Sequence, residues 1–147
     1  MSVSQHAMKN TQHNYLVLGA GITGWSVVAY LLAQGHSVRV TDSRETPPNG
    51  DKIKAVLARE DICFGQLQWS WLQQADTVIV SPGIDSQRAE IQTAIAAGVE
   101  VIGDIELFAR AARKPYIAIT GSNGKSTVTT LVTALLASQN IEIGRAS

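Results

Sequence analysis

The chain has 147 residues, 45% of them hydrophobic and 16% charged, a balance that suits a globular protein and excludes a disordered or fibrous one. Its 12 basic and 12 acidic residues cancel, so no overall field recruits nucleic acid or an anionic membrane, and neither is expected as a partner. Cys63 is the only cysteine, which excludes an internal disulfide framework; with no apolar run of membrane-spanning length in the sequence, the expected location is the cytoplasm.

Residues 1 to 14 lack the apolar core of a secretion signal and read as a flexible leader. Tyr15, Leu16, Val17 and Leu18 then form a short apolar run ending at Gly19, the pattern of a buried parallel strand. A helix is predicted from Thr23 to Ala33, with Trp25, Val28, Ala29, Leu31 and Leu32 on one face and Gly35 just past its end. Val38, Val40 and Thr41 make a second strand that closes at Asp42, completing one βαβ unit.

Thr46-Pro47-Pro48-Asn49-Gly50 is a loop by composition, and a short exposed helix is predicted over 51–60. Strands are predicted at Ile62 to Phe64 and at Thr77 to Val80, the latter stopping at Ser81-Pro82-Gly83. A helix from Arg88 to Ala97, a strand at Glu100 to Ile102, and a helix opening at Asp104 with Ile105, Leu107, Phe108 and Ala111 on its apolar side follow. Past Lys114-Pro115, a strand is predicted at Tyr116 to Thr120, then a loop, then a helix with Val128, Leu131, Val132, Leu135 and Leu136 in one stripe. This alternation predicts an α/β fold: a Rossmann-like, mostly parallel sheet domain over residues 15–103, followed by the start of a P-loop ATPase-like α/β domain over residues 104–147.

Two glycine-rich loops carry the chemistry. Gly19-Ala20-Gly21-Ile22-Thr23-Gly24 is a full G-x-G-x-x-G between a strand and a helix, the setting in which backbone N–H groups at the positive end of a helix receive a diphosphate. Asp42, 18 residues after Gly24, ends the next strand, where a carboxylate can accept from a ribose hydroxyl or a base N–H. The same geometry serves NAD, NADP or a UDP-sugar, and Arg44 can be read as a clamp for the extra phosphate of NADP. The second loop departs from a strict G-x-x-x-x-G-K-[ST], since Ile119 stands where the first glycine belongs. Gly121-Ser122-Asn123-Gly124-Lys125-Ser126-Thr127 still offers amide donors, a lysine for β- and γ-phosphates and a hydroxyl for Mg²⁺, which points to ATP.

Thr120 to Thr127 is similar to the ATP-binding signature of the Mur ligase superfamily. Four further stretches resemble its D-glutamate-adding branch: Gly19 to Gly24 with Trp25-Ser26, Asp42-Ser43-Arg44 with Thr46-Pro47-Pro48, Ser81-Pro82-Gly83-Ile84, and Gly103 to Phe108. The resemblance implies that the first domain holds UDP-N-acetylmuramoyl-L-alanine. Ile22 and Thr23 would then present amides to the diphosphate, Asp42, Ser43 and Arg44 would lie at the uracil, and Gly83 would line the sugar-phosphate path. Lys125 would be the catalytic cation on ATP, Ser126 the Mg²⁺ ligand, and Gly121, Ser122, Asn123, Gly124 and Thr127 the rest of the cradle.

For the whole family the implied reaction is ATP-driven: a substrate carboxylate becomes an acyl phosphate, and the amine of D-glutamate displaces phosphate to form an amide. A chain stopping at Arg145-Ala146-Ser147 would carry only the opening of that machinery. It is expected to be inactive alone and to leave the stripe of the last helix mobile or paired with a second copy. The competing readings are a nicotinamide-dinucleotide module of a dehydrogenase or regulator, which leaves the second loop without a task, and a nucleotide-sensing module without catalysis.

Overall fold

The computed structural model describes residues 12–113 and 115–142. Most of the expected leader, Lys114 and the expected chain end at Arg145-Ala146-Ser147 lie outside the described residues. The chain divides into two compact units, one reaching to Ala111 and one starting at Ala112.

The first unit is built on five parallel strands, β1 (Asn14–Leu18), β2 (Ser37–Asp42), β3 (Ile62–Phe64), β4 (Thr77–Val80) and β5 (Glu100–Gly103), in the order β3-β2-β1-β4-β5. Side chains alternate across β1, and the core divides accordingly. Val17 joins Val40, Ile79, Val28, Leu31 and Ile53 on one face, whereas Leu16 and Leu18 join Val78, Val80, Leu72, Ile91 and Ala94 on the other. Burial on both faces is why β1 and β4 read as continuous apolar runs.

Helices α1 (Ile22–Ala33) and α2 (Gly50–Val56) supply the first face, and α3 (Ala89–Ala96) the second. On α1, Val27, Val28 and Leu31 are buried and Trp25 and Leu32 pack at the margin, while Ala29, assigned inward by periodicity, is exposed. The helix expected over 51–60 ends early: Leu57 turns extended to pack on the core, and a 3₁₀ turn at Arg59–Asp61 leads into β3. A second 3₁₀ segment, Trp69–Gln74, was not foreseen; it places Leu72 in the core.

Helix α4 (Asp104–Ala111), expected to open the second domain, packs within the first unit. Leu107 rests against the core and Arg110 reaches Glu100, whereas Ile105, assigned to the apolar side, points to solvent.

In the second unit the one regular element among the described residues is α5 (Lys125–Ser138). The strand expected at Tyr116 to Thr120 does not form. A strand is defined by its ladder, and this unit offers a single such segment, so the apolar run stays irregular. The motif Gly121–Thr127 thus leads into a helix as expected, without the preceding strand.

Candidate functional site

Register places the site. Leu18 of β1 lies beside Thr41 of β2 and Val80 of β4, so the next residues, Gly19, Asp42 and Ser81, share one row at the carboxyl ends of three adjacent strands. Between β1 and β4 the strand order reverses, and such a switch point opens the crevice in which parallel α/β sheets take their ligands.

The glycine loop fits this row by contact. Gly19 has φ +106°, and a Cβ on it would stand 2.7 Å from Ser81 Oγ. A Cβ on Gly24 would fall on the carbonyl oxygen of Gly19, so only glycine lets α1 approach β1 this closely. Gly21 differs: a Cβ there would meet nothing nearer than Arg44 Nη2 at 3.9 Å. The backbone at Gly21 is therefore open to an incoming group. Gly21 is also the N-cap of α1, with no side chain capping it, which leaves first-turn N–H groups of Ile22 and Thr23 for an anion.

Asp42 locks the loop. Its carboxylate is 3% exposed and accepts from the Ala20 N–H (2.7 Å) and Arg44 Nη2 (2.6 Å) on one oxygen, and from the Arg44 N–H (2.9 Å) and Arg44 Nε (2.9 Å) on the other. Burial alone would raise the pKa of this carboxyl. The hydrogen bonds from the Arg44 side chain, the Ala20 N–H and the Arg44 N–H overcome that and hold it at about 2. Arg44 is in turn raised, chiefly by its bond to Asp42. Asp42 is thus a fully engaged anion that ties β1's loop to β2's loop, and the half-exposed Arg44 guanidinium is the group presented beside Gly21.

Ser43 is exposed next to this pair, and Gly83 sits in the turn after β4 closed by the Ile84 N–H to Ser81 carbonyl bond, with open space around its Cα. Ile22, Thr23, Asp42, Arg44 and Gly83 therefore all border the carboxyl end of the sheet. Two neighbours escaped the sequence reading: Ser81 as the residue against Gly19, and Ala20 as the donor to Asp42. The parallel register would have found Ser81; the Ala20 contact joins residues 22 positions apart and leaves no local trace.

In the second unit, Gly124 adopts φ +79° as the N-cap of α5, no side chain caps the helix, and Gly121 to Thr127 are exposed. Lys125 and Ser126 fall on its first turn, so uncapped amides, an ammonium and a hydroxyl converge on one helix N-terminus. That donor set suits a nucleotide triphosphate with its hard cation. Among the described residues no cluster of three or more His, Cys, Asp or Glu could hold a metal ion by itself.

Comparison with known proteins follows the same lines. Residues 13–103 match the family described as Mur ligase MurD-like, N-terminal domain. The UDP-N-acetylmuramoylalanine–D-glutamate ligase of Haemophilus influenzae is 48% identical over 131 residues, covering 89% of this chain and 29% of that protein. The ligase of the same name from Mannheimia succiniciproducens is 47% identical over the same span. Among solved structures, UDP-N-acetylmuramate-alanine ligase MurC of Thermotoga maritima superposes with a TM-score of 0.58 at 20% identity, over 88% of this chain and 30% of that one. The chain thus spans about 29% of the length of the curated relatives it matches.

Proposed function

The chain belongs to the Mur ligase family, by a MurD-like N-terminal domain, and on that premise we propose that it is the substrate-binding opening of a cytoplasmic ligase that adds D-glutamate to UDP-N-acetylmuramoyl-L-alanine. The observation that carries this reading is the loop at the switch point, open over Gly21 and flanked by uncapped amides and a presented guanidinium. Ile22 and Thr23 receive the diphosphate there, Asp42, Ser43 and Arg44 frame the uracil, and Gly83 borders the sugar-phosphate path. The family match favours this ligand over the nicotinamide alternative.

ATP and Mg²⁺ belong to the Gly121–Thr127 loop in this reading. Gly121, Ser122, Asn123, Gly124 and Thr127 cradle phosphates, Lys125 neutralises charge and Ser126 ligates the metal. ATP supplies a phosphoryl group that activates the substrate carboxylate for amide formation, a reaction that depends on positioning and charge neutralisation. Replacing Lys125 by Ala in a ligase of the relatives' length is expected to lower turnover by at least a hundredfold, on the order of 3 kcal/mol of charge stabilisation. Near-normal turnover in that variant would remove Lys125 from the site.

Calorimetry with UDP and with NAD⁺ tests the substrate reading directly. UDP is expected to bind and NAD⁺ to bind more weakly; the reverse order overturns the ligase assignment.

A further inference from the structure

The sequence contains two Asn-Gly steps, Asn49-Gly50 and Asn123-Gly124, and the fold places them in opposite settings. In such a step the asparagine side-chain amide can be attacked by the next backbone nitrogen to close a five-membered ring, and glycine puts no Cβ in the way. Whether the ring closes then depends on two local conditions. The glycine nitrogen must be free, and the asparagine must be able to turn its amide toward it.

Asn49-Gly50 is closed to this reaction. The Gly50 N–H donates to the Pro47 carbonyl at 2.9 Å, and Gly50 is buried as the first residue of α2. Asn49 is the N-cap of α2; its N–H donates to the Ala20 carbonyl at 3.4 Å, and its carbonyl accepts from the Ile53 N–H at 3.1 Å. A Cβ on Gly50 would stand 3.2 Å from both Phe64 Cε2 and Pro47 Cγ, so the step is packed as well as bonded.

Asn123-Gly124 is open in each of these respects. Both residues are exposed. Among the described residues the Gly124 N–H donates no hydrogen bond and the Asn123 side chain has no partner. Nothing lies within 4 Å of where a Cβ on Gly124 would stand, and its φ of +79° is one that glycine holds without steric cost. As the N-cap of α5, Gly124 contributes its carbonyl to the helix and not its N–H, so ring closure breaks no helical hydrogen bond. The other described asparagines, Asn14 and Asn140, are followed by Tyr15 and Ile141, whose side chains obstruct the attack.

We propose that Asn123 is a site of self-modification, at which the second glycine-rich loop converts from asparagine to isoaspartate and aspartate. The Gly124 nitrogen attacks Asn123 Cγ, its proton passes to the departing amide, and ammonia leaves behind a succinimide. Water then opens the ring. Breaking the Cγ–N bond gives aspartate; breaking the bond from nitrogen to the main-chain carbonyl carbon gives isoaspartate, whose backbone runs through Cγ and is one methylene longer. Either route takes up one water, releases one ammonia and changes no oxidation state. A carboxylate thereby replaces a neutral amide two residues after Gly121 and next to Lys125, among the groups assigned to phosphates, so conversion opposes ATP binding. That consequence rests on the nucleotide reading above, whereas the reaction itself does not.

Peptide mapping by mass spectrometry of the full chain aged at pH 8 tests the proposal, with isoaspartate marked by enzymatic methylation. Asn123 is expected to convert at least about tenfold faster than Asn49, because Asn49 must first break a backbone hydrogen bond and open locally. In guanidinium chloride that unfolds the first unit, the two rates are expected to agree within about twofold, since only the shared Asn-Gly chemistry is left. Equal rates in the native chain overturn the proposal. So does an Asn123 that converts at least about fivefold faster in denaturant than in the native chain, which would mean that the loop shields it. Neither measurement needs a variant or a nucleotide, so a negative result strikes the modification and leaves the phosphate-loop reading untouched.

Discussion

Asp42 binds the loop through four hydrogen bonds from two donor residues, Ala20 and Arg44, and that arrangement has a pH consequence. Its folded pKa of about 2 lies below the ordinary value of 3.8, so the ionised form is favoured by folding. The contribution is therefore fully present above about pH 4 and disappears as pH falls through 2, amounting to about 2 kcal/mol. Asp42→Asn is expected to lose about that much stability at pH 7 and to converge on the parent protein near pH 2, measured by urea unfolding at both values. A constant difference across the range would mean that Asp42 acts by shape alone. Sequence placed this carboxylate at the ligand because a strand-ending acid in this motif has that use. Only the Arg44 N–H to Asp42 bond, two residues along, is of a kind that local sequence can suggest. The Ala20 donor and the wrap of the Arg44 side chain needed the fold.

At the level of elements, the three glycines of the loop answer to different constraints, and substitution separates them. Gly24→Ala would drive a methyl into the Gly19 carbonyl and is expected to cost about 3 kcal/mol in urea unfolding, the upper range for overpacking. Gly21→Ala has room, and its φ of −78° suits any residue, so stability is expected to stay within about 0.5 kcal/mol. UDP binding by Gly21→Ala should nevertheless fall by at least about tenfold, because the added methyl projects into the crevice. Unimpaired UDP binding would show that the ligand does not approach Gly21. Strands β1 and β4 were legible because burial on both faces makes them unbroken apolar runs, and β2 because Val38 and Val40 alternate with polar residues. Trp69–Gln74 was not, since a 3₁₀ segment with a single buried side chain, Leu72, has no period to read. Tyr116 to Thr120 misled for the complementary reason: its apolar run reports a tendency to be buried, whereas strand formation depends on a neighbour that a run cannot announce. The ends of α1, α3 and α5 all close with the same paired bonds after a left-handed residue, Gly35, Gly98 and Asn140 respectively. The closure at Gly35 was read from sequence; the asparagine was not.

For the molecule as a whole, the two units differ in how much apolar surface they bury. The first has two cores, one on each face of its sheet. In the second, α5 has no buried residue, and Val128, Leu131 and Leu135 are 45%, 65% and 65% exposed. Burying such a side chain contributes about 1.5–3 kcal/mol, so a stripe left in water forgoes a sum comparable with the stability of a small domain. An isolated 14-residue helix is marginal in water even with good formers, and α5 carries Thr127, Val128, Thr129, Thr130, Val132 and Thr133, whose branched side chains lower its propensity. Two outcomes relieve the deficit for these 147 residues in isolation: α5 melts and re-forms rapidly, or it buries the stripe against the same stripe of a second copy. Light scattering and hydrogen exchange at two protein concentrations distinguish them. If α5 is only marginal, the chain is monomeric and α5 amides exchange at least about a hundredfold faster than those of β1 and β4. If copies pair, mass and α5 protection rise together with concentration. A monomer whose α5 amides are as protected as those of β1 would refute both, and would mean that the stripe is satisfied within one chain.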